Sequence, residues 1–416
     1  EVLARTENPI TLSDSIELYN ASNAAVDVSG WFLSDSLDNL FAYEIPAGTV
    51  IPAGGYVVLD EDDFNADADD EGFALNGTNG ESVYLVQGTK DATADQGGNV
   101  TGFADDIHFG GTTNGTTLGR VPNGSGRLAP LASQTLGFAN TNPLVGPLVV
   151  ITEIQYNPTP SAAALAADPT LEDSDLEFIE IHNPTVASID LTDWRVRGGI
   201  DYNFADGATL AAGEFLVLLK FDPTDPENIN QLNAFRAHYG IDESVRLEGG
   251  YAGQLNNSDD RVTLMRPDLA SPPNDRPRVQ ADEVLYDDLA PWPTNADGTS
   301  DGFSLQRVNA NAFGNDSASW FGAPGTPGEL LASIPGDLDG NGVVDPDDIN
   351  ALFVQMRSAD PDLSFDLTGD GLVNAADRDR LVEEILSIPY GDANYDGVFN
   401  SEDFVAVFIS GQYEDN

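Results

Sequence analysis

Cysteine does not occur in the 416 residues, and lysine occurs only at Lys90 and Lys220. The first absence excludes disulfides, thiolate metal sites and thiol nucleophiles, so stability has to come from packed cores and bound ions. Basic residues are scarce as well, 17 against 70 acidic ones for a formal net charge of −53. Nucleic acid and anionic lipid are therefore disfavoured as partners, because both are bound by displacing counterions with a local excess of Lys and Arg. Long apolar runs are also missing. Phe215-Leu216-Val217-Leu218-Leu219 is typical of those present and far shorter than the roughly 20 residues of a membrane helix, so no membrane insertion is expected. No signal peptide opens the chain. It begins on a strand-like Glu1-Val2-Leu3-Ala4, the expectation being a processed or excised fragment whose export signal and further domains lie outside it.

What is present suffices for about three domains at the usual 100 to 200 residues each. Hydrophobic residues make up 41% and aromatics 9%, ordinary globular values, while Gly 41 and Pro 25 point to many turns between short strands.

One unit occurs twice. Ile16-Glu17-Leu18-Tyr19-Asn20 is echoed by Ile179-Glu180-Ile181-His182-Asn183, and eleven residues after each asparagine stands a tryptophan, Trp31 or Trp194. A Val26-Asp27 or Ile189-Asp190 pair precedes it. The parallel continues through Val83-Tyr84-Leu85 with Val262-Thr263-Leu264 and Leu118-Gly119-Arg120 with Leu305-Gln306-Arg307. It closes on a turn at Thr135-Leu136-Gly137 or Thr326-Pro327-Gly328. Period-two alternation interrupted by Gly, Pro, Asn and Asp clusters every ten residues or so is the pattern of a β-sandwich. Ile16 and Leu18 are expected to face a core, with Glu17 and Tyr19 on a face that is exposed or packed at an edge. Trp31 and Trp194 are expected inside. The second copy is longer, by insertions at 162–174 and 222–240. In the latter, Ile229, Leu232, Arg236 and Tyr239 recur at helical spacing and predict a short surface helix.

On Glu17 to Asn20 with Trp31, and Glu180 to Asn183 with Trp194, the copies resemble the lamin-tail domain, an immunoglobulin-like sandwich of nuclear lamins and of many secreted bacterial proteins. In the second copy, Val149-Val150-Ile151-Thr152-Glu153-Ile154 is similar to the opening of the bacterial forms, and Asp282-Glu283-Val284-Leu285-Tyr286 precedes Pro291-Trp292-Pro293. The resemblance covers 1–140 and 147–330 and implies non-catalytic interaction or anchoring modules.

Composition shifts after Pro335, where 19 acidic residues meet three arginines. Three segments there fit the twelve-residue calcium loop, with oxygen ligands at positions 1, 3, 5, 7, 9 and 12 and Gly at 6 for the sharp turn. The first, 337–348, offers Asp337, Asp339, Asn341, the Val343 carbonyl, Asp345 and Asp348. The second, 366–377, offers Asp366, Thr368, Asp370, the Leu372 carbonyl, Asn374 and Asp377. The third, 392–403, offers Asp392, Asn394, Asp396, the Val398 carbonyl, Asn400 and Asp403. Calcium is a hard cation that takes six to eight oxygens, and carboxylates that otherwise repel one another supply them, so ion binding and folding should be coupled. Two Ca2+ ions are expected in the first two loops, and the third loop offers a further site. The third loop lies near Asn416, and a loop that pairs with it would fall beyond that residue. Each position-nine residue also suits a helix N-cap, and Pro346 suits a first turn. Helices are expected after each loop, with stripes at Ile349, Leu352, Phe353 and Met356, at Leu381, Ile385 and Ile388, and at Phe404, Val407 and Phe408.

With Asp at position 12, in Asp348, Asp377 and Asp403, these loops resemble the dockerin type I family, in which one helix follows each calcium loop. The resemblance implies a protein partner for 335–416, either a cohesin-like module or self-assembly. Dockerins pair two loops. Here there are three, and the module is also similar to those of many secreted planctomycete-type proteins, where a cohesin partner need not exist.

Catalytic residues are not expected. His108, His182 and His238 have no partner at metal-ligand spacing, and nucleophile elbows, phosphate-binding glycine loops and His-Glu-x-x-His helices are absent. Glu17 and Glu180 belong to separate sandwiches. Trp292 and Trp320, in loops flanked by Pro and Gly, are expected to pack in the ordinary way, with stacking on a surface glycan the alternative. Sequons include Asn20-Ala21-Ser22, Asn76-Gly77-Thr78 and Asn315-Asp316-Ser317.

The expectation is a mainly β chain, two immunoglobulin-like sandwiches followed by a small all-α EF-hand or dockerin-like calcium module. It would be a secreted or cell-surface bacterial protein, not an enzyme, serving structure or adhesion. The alternatives are the accessory C-terminal region of a larger secreted enzyme and a carbohydrate-binding surface protein.

Overall fold

The structure is a computed structural model. It describes residues 1–7, 12–66, 72–144, 149–271, 276–297, 303–329, 336–338, 344, 346–358, 361–368, 372–386, 388–392, 398–399, 401 and 403. The chain divides into two compact units, Glu1–Gly328 and Glu329–Asn416.

The first unit holds both copies of the repeat. Copy one runs β1 (Val2–Leu3), β2 (Ser15–Tyr19), β3 (Val26–Asp27), β4 (Phe32–Ser34), β5 (Tyr43–Glu44), β6 (Val50–Ile51), β7 (Tyr56–Asp60), α1 (Glu61–Phe64), β8 (Glu81–Lys90), β9 (Gly98–Phe109), β10 (Leu118–Val121) and β11 (Arg127–Pro130). These make one sheet in the order β11-β10-β1-β2-β7, another in the order β5-β4-β8-β9, and a ribbon β3-β6.

Copy two runs β12 (Val150–Gln155), α2 (Ala162–Ala167), β13 (Phe178–His182), β14 (Ile189–Asp190), β15 (Arg195–Gly198), β16 (Ile200–Asn203), β17 (Thr209–Leu210) and β18 (Phe215–Leu219). It continues through α3 (Ile229–Tyr239), β19 (Leu247–Gly249), β20 (Ala252–Gly253), β21 (Asp259–Pro267), β22 (Arg278–Asp287), β23 (Ser304–Arg307) and β24 (Trp320–Ala323). Its sheets, β24-β23-β12-β13-β18-β19 and β20-β16-β15-β21-β22 with the ribbon β14-β17, repeat the first copy strand for strand. The additions are β20 and the edge strand β19, which is parallel to β18.

Register agrees as well as order. Ile16 faces Leu59 where Ile179 faces Leu218, and Tyr19 faces Tyr56 where His182 faces Phe215. Both ring pairs stack, with centroids 4.8 and 4.0 Å apart. This explains how histidine and tyrosine can exchange at one position: each presents a flat ring to its cross-strand neighbour. The inner faces bury Ile16, Leu33, Ile45 and Leu59 in copy one and Ile179, Val196, Leu210 and Leu218 in copy two. Trp194 is buried in the second core, and Trp31 packs half-buried against the first.

The asparagine that ends the shared motif explains the turn that follows it. Asn20 Nδ2 donates to the carbonyls of Ala24, Ile51 and Pro52 at 2.7 to 3.0 Å, while its Oδ1 accepts from the N–H and hydroxyl of Ser22. Asn183 repeats the set with Ala187, Leu210 and Ala211 and with Thr185. A side chain with two donors and one acceptor is required, because carbonyls at a turn buried under a strand end have no water to pair with.

The predicted helix is present as α3, and Leu232 and Tyr239 of the expected stripe pack half-buried against the sheet. Ile229 is exposed, and Ala234 and Phe235 are the buried residues. They pack with Ala164 of α2 onto Phe178, Val217 and Leu219. The insertions of copy two thus cover the outer face of its sheet with a second core, which is why β18 is apolar on both faces and why β13 carries Phe178 on its outer one. Among the described residues, no helix is long and apolar enough to cross a membrane.

In the second unit, α4 (Pro346–Met356) and α5 (Ala375–Asp379) follow the first two acidic loops, and α5 runs on into a π-turn at Arg380–Ile385. Leu352, Val373 and Leu381 are buried at their junction, flanked by Ile349, Met356, Phe365 and Ile385. Phe404, Val407 and Phe408 lie outside the described residues.

Candidate functional site

The second acidic loop is the best defined. Asn374 caps α5 by accepting from Ala376 N–H at 2.8 Å, and Asp377 reaches back so that its Oδ2 accepts the Asn374 N–H at 2.7 Å. This reciprocal capping box fixes the carboxylate at the helix start. Its other oxygen accepts both the N–H and the hydroxyl of Thr368 at 3.0 Å, and the same hydroxyl approaches Asp366 Oδ1 at 3.3 Å. Positions 1, 3, 9 and 12 of the loop are therefore gathered by bonds within the loop itself. Leu372 at position 7 is exposed at its side chain.

The first loop shows the same anchor. Asp348, fully buried, accepts the Leu338 N–H at 2.6 Å, one residue past Asp337. In the third loop, Asp392 and Asp403 are buried, while Val398 is exposed. All three position-twelve aspartates are thus buried carboxylates, an arrangement that is costly unless hydrogen bonds or a cation compensate it. Asp339, Asn341, Val343, Asp345, Asp370, Asn394, Asp396 and Asn400 lie outside the described residues. Among the described residues no group of three His, Cys, Asp or Glu side chains converges on one point. The second loop, with Thr368 and Asn374 in two of its positions, does not rely on carboxylates alone.

In the first unit, acidic side chains serve the fold. Glu153 and Glu180 stand opposite each other across β12 and β13, both buried. Glu180 accepts the Thr152 hydroxyl at 2.6 Å, and Glu153 accepts Gln306 Nε2 at 3.2 Å and the Thr326 N–H at 3.1 Å. Burial, and then the charge of Glu180, hold the Glu153 carboxyl well above its usual range. Glu17 is likewise raised by burial. Glu1 accepts the Thr135 N–H at 2.9 Å, as Glu153 does that of Thr326. Of the two expectations for the Glu17 face, exposed or packed at an edge, the structure shows it packed: the closing Gly turn of each repeat covers it.

The histidines sit apart. His108 pairs with Asp106 at 3.1 Å on the exposed face of β9, His182 stacks on Phe215, and His238 Nδ1 accepts the Ser161 N–H at 3.1 Å. Trp320 opens strand β24 and is not in a loop. It is buried, its indole N–H donates to the Gly314 carbonyl at 2.9 Å, and Arg307 lies 5.6 Å from its ring. It has no face to offer a sugar, and Trp292 packs half-buried 6.4 Å from it.

Two tandem immunoglobulin-like sandwiches of one topology define a mainly β repeat protein with a small helical unit after it. The model of the Lamin Tail Domain matches residues 1–100 and 145–276, more than half of the sequence, and the chain belongs to that family. Strands β10, β11 and β22 to β24 fall outside the matched stretches yet complete both sheets. No curated protein matches the chain. Among solved structures, it is similar to a DUF4876 family protein from Bacteroides thetaiotaomicron, at 10% identity and a TM-score of 0.26, over 80% of this chain and 98% of that one.

Proposed function

We propose that the chain is a non-catalytic, extracellular calcium-binding protein in which two lamin-tail sandwiches form a rigid spacer and the unit from Glu329 anchors or assembles it through dockerin-like loops. The observation that carries this reading is the second loop, where Asp366, Thr368, Asn374 and Asp377 are drawn together by hydrogen bonds at the start of a helix. Position 12 is buried in each of the other two loops as well. Bound Ca2+ would neutralise these carboxylates and tie loop to helix. The partner would be a cohesin-like module or a second copy of the chain. Secretion, a bacterial source and the absence of catalysis belong to this reading too.

The test is size-exclusion chromatography of the whole chain with calcium and with chelator, alongside calorimetric titration of Ca2+. Calcium binding with a calcium-dependent change in assembly or in protease resistance of the second unit is expected. Identical elution and proteolysis in both buffers would sink it. A catalytic domain in a longer form of the polypeptide would favour the accessory-region reading instead.

A further inference from the structure

The two sandwiches of the first unit meet at the Gly111–Val279 bridge. A side chain on Gly111 would lie 2.7 Å from the Thr78 carbonyl and 2.8 Å from Pro277, so the approach is as close as glycine permits. Beside this seam runs a cleft of ≈ 520 Å³, within the usual range for small-molecule sites. The chain has only 15 arginines, and Arg120, Arg127, Arg197, Arg261, Arg266 and Arg307 all line it.

Three of the six are committed to protein groups. Arg307 is paired with Asp282 and donates to the Ile151 carbonyl, Arg197 donates to the Val196 and Tyr202 carbonyls, and Arg120 is paired with Asp105. The other three are not. Arg127 and Arg261 are exposed, and among the described residues neither guanidinium has a hydrogen-bond or ion-pair partner. Arg266 reaches only the Pro267 carbonyl at 3.4 Å, and its Nε is buried without a partner.

The carboxylates in the same wall are occupied. Asp282 serves Arg307 and the Ile151 N–H, and Glu283 accepts the Thr263 hydroxyl at 2.8 Å and Asn315 Nδ2 at 3.1 Å. Asp259, Asp260 and Asp287 share a second hollow with Arg127 and Arg261, but none forms an ion pair with either. The positive groups are thus concentrated where a protein of charge −53 would otherwise repel any anion.

We propose that this cleft binds an oxyanion, a carboxylate or sulfate group on an organic body, held by Arg127 and Arg261 with Arg266 behind them. Guanidinium forks match the planar or tetrahedral oxygens of such groups, and Phe109 and Met265 in the wall offer apolar surface to the body. The bound group would also supply the acceptor that Arg266 lacks.

The test is calorimetric titration of the full chain at low ionic strength with sodium sulfate, benzoate, glucuronate and neutral glucose. The oxyanions should bind with dissociation constants of about 5 mM or tighter, and glucose should not bind. Arg127→Gln and Arg261→Gln should each weaken binding about fivefold or more at an unchanged melting temperature, whereas Arg236→Gln on α3 should have no effect. Glucuronate binding tighter than benzoate and sulfate assigns the site to a charged sugar unit; equal binding of sulfate and benzoate assigns it to small acids. No heat with any oxyanion, or an unaltered affinity in both Arg127→Gln and Arg261→Gln, overturns the proposal.

Discussion

The N–H of Gly328 donates to the Glu180 carboxylate at 2.5 Å, across 148 residues of chain, and Gly137 makes the same bond to Glu17 across 120. In both repeats, then, a buried glutamate on the second strand holds the closing turn against the sheet. The adjacent glutamate, Glu1 or Glu153, holds the threonine two residues earlier. The carboxylates of each repeat act as a latch, and that role argues against chemistry at Glu17 or Glu180. Glu180→Leu should cost about 3 kcal/mol, because it leaves buried donors unpaired. Glu180→Gln keeps an acceptor for Gly328 and removes a charge facing Glu153, so at pH 8 it should be no less stable than the parent. Urea denaturation followed by tryptophan fluorescence separates the two, and a Leu variant as stable as the parent would refute the latch.

These glutamates also set the pH response of the first unit. Burial pushes Glu81 and Glu177 up to about 7 and raises Glu17 and Glu153. A carboxyl whose folded pKa lies above its unfolded value binds its proton more tightly when folded. Its contribution is therefore fully present below the unfolded value near 4.5 and is lost as pH rises through the folded one. The melting temperature of the first unit should rise by roughly 2–5 °C on going from pH 8 to pH 5.5. Calorimetry in the presence of chelator, which isolates this transition from calcium effects, measures it. A flat profile would mean that these groups stay ionised in the fold.

The Asn20 and Asn183 amides make a sharper test of the repeat. Each donates to three carbonyls, so Ala at either position should cost about 2 kcal/mol or more. Asp should cost more still, since it loses the donors and sets a charge against those carbonyls. Chemical denaturation of the four variants gives the order. The same geometry predicts that the Asn20 sequon stays unmodified in folded protein even in a glycosylating host, as intact mass would show.

The repeat was legible in the sequence because its signal is local: alternation in Ile16-Glu17-Leu18-Tyr19-Asn20, a tryptophan eleven residues on, and turn clusters between. Partners set by long-range closure were not. Glu17 and Gly137 are both visible in the sequence, but nothing within either motif says that they touch. Spacing identifies α3 and, in Leu232 and Tyr239, part of its inward face, whereas Ala234 and Phe235 complete a second core whose other wall comes from β13 and β18. Trp320 read as a loop aromatic because Gly and Pro flank it, yet pairing with β23 makes it a strand residue. The arginine cleft left no trace in the sequence, since its residues come from strands far apart in the chain.

The second unit should respond to pH in the opposite sense from the first. If Ca2+ occupies the loops, their carboxylates must stay ionised, so acid competes with the ion and binding weakens as pH falls toward 4. Asp377→Asn tests the assignment at one loop. It keeps an oxygen acceptor for Thr368 but loses the charge and the second ligand oxygen, so calcium stoichiometry should fall by one site while α4 and its loop stay intact. Calorimetric scans of the parent with calcium should then show two transitions. The one lost on chelation should move down in temperature from pH 8 to pH 5, while the other moves up. Two transitions that shift together, or a stoichiometry unchanged in the Asp377 variant, would show that the buried aspartates serve only the helix caps. Opposed shifts would show that one chain uses the same residue class in two ways, as buried latches in the sandwiches and as charged ligands in the loops.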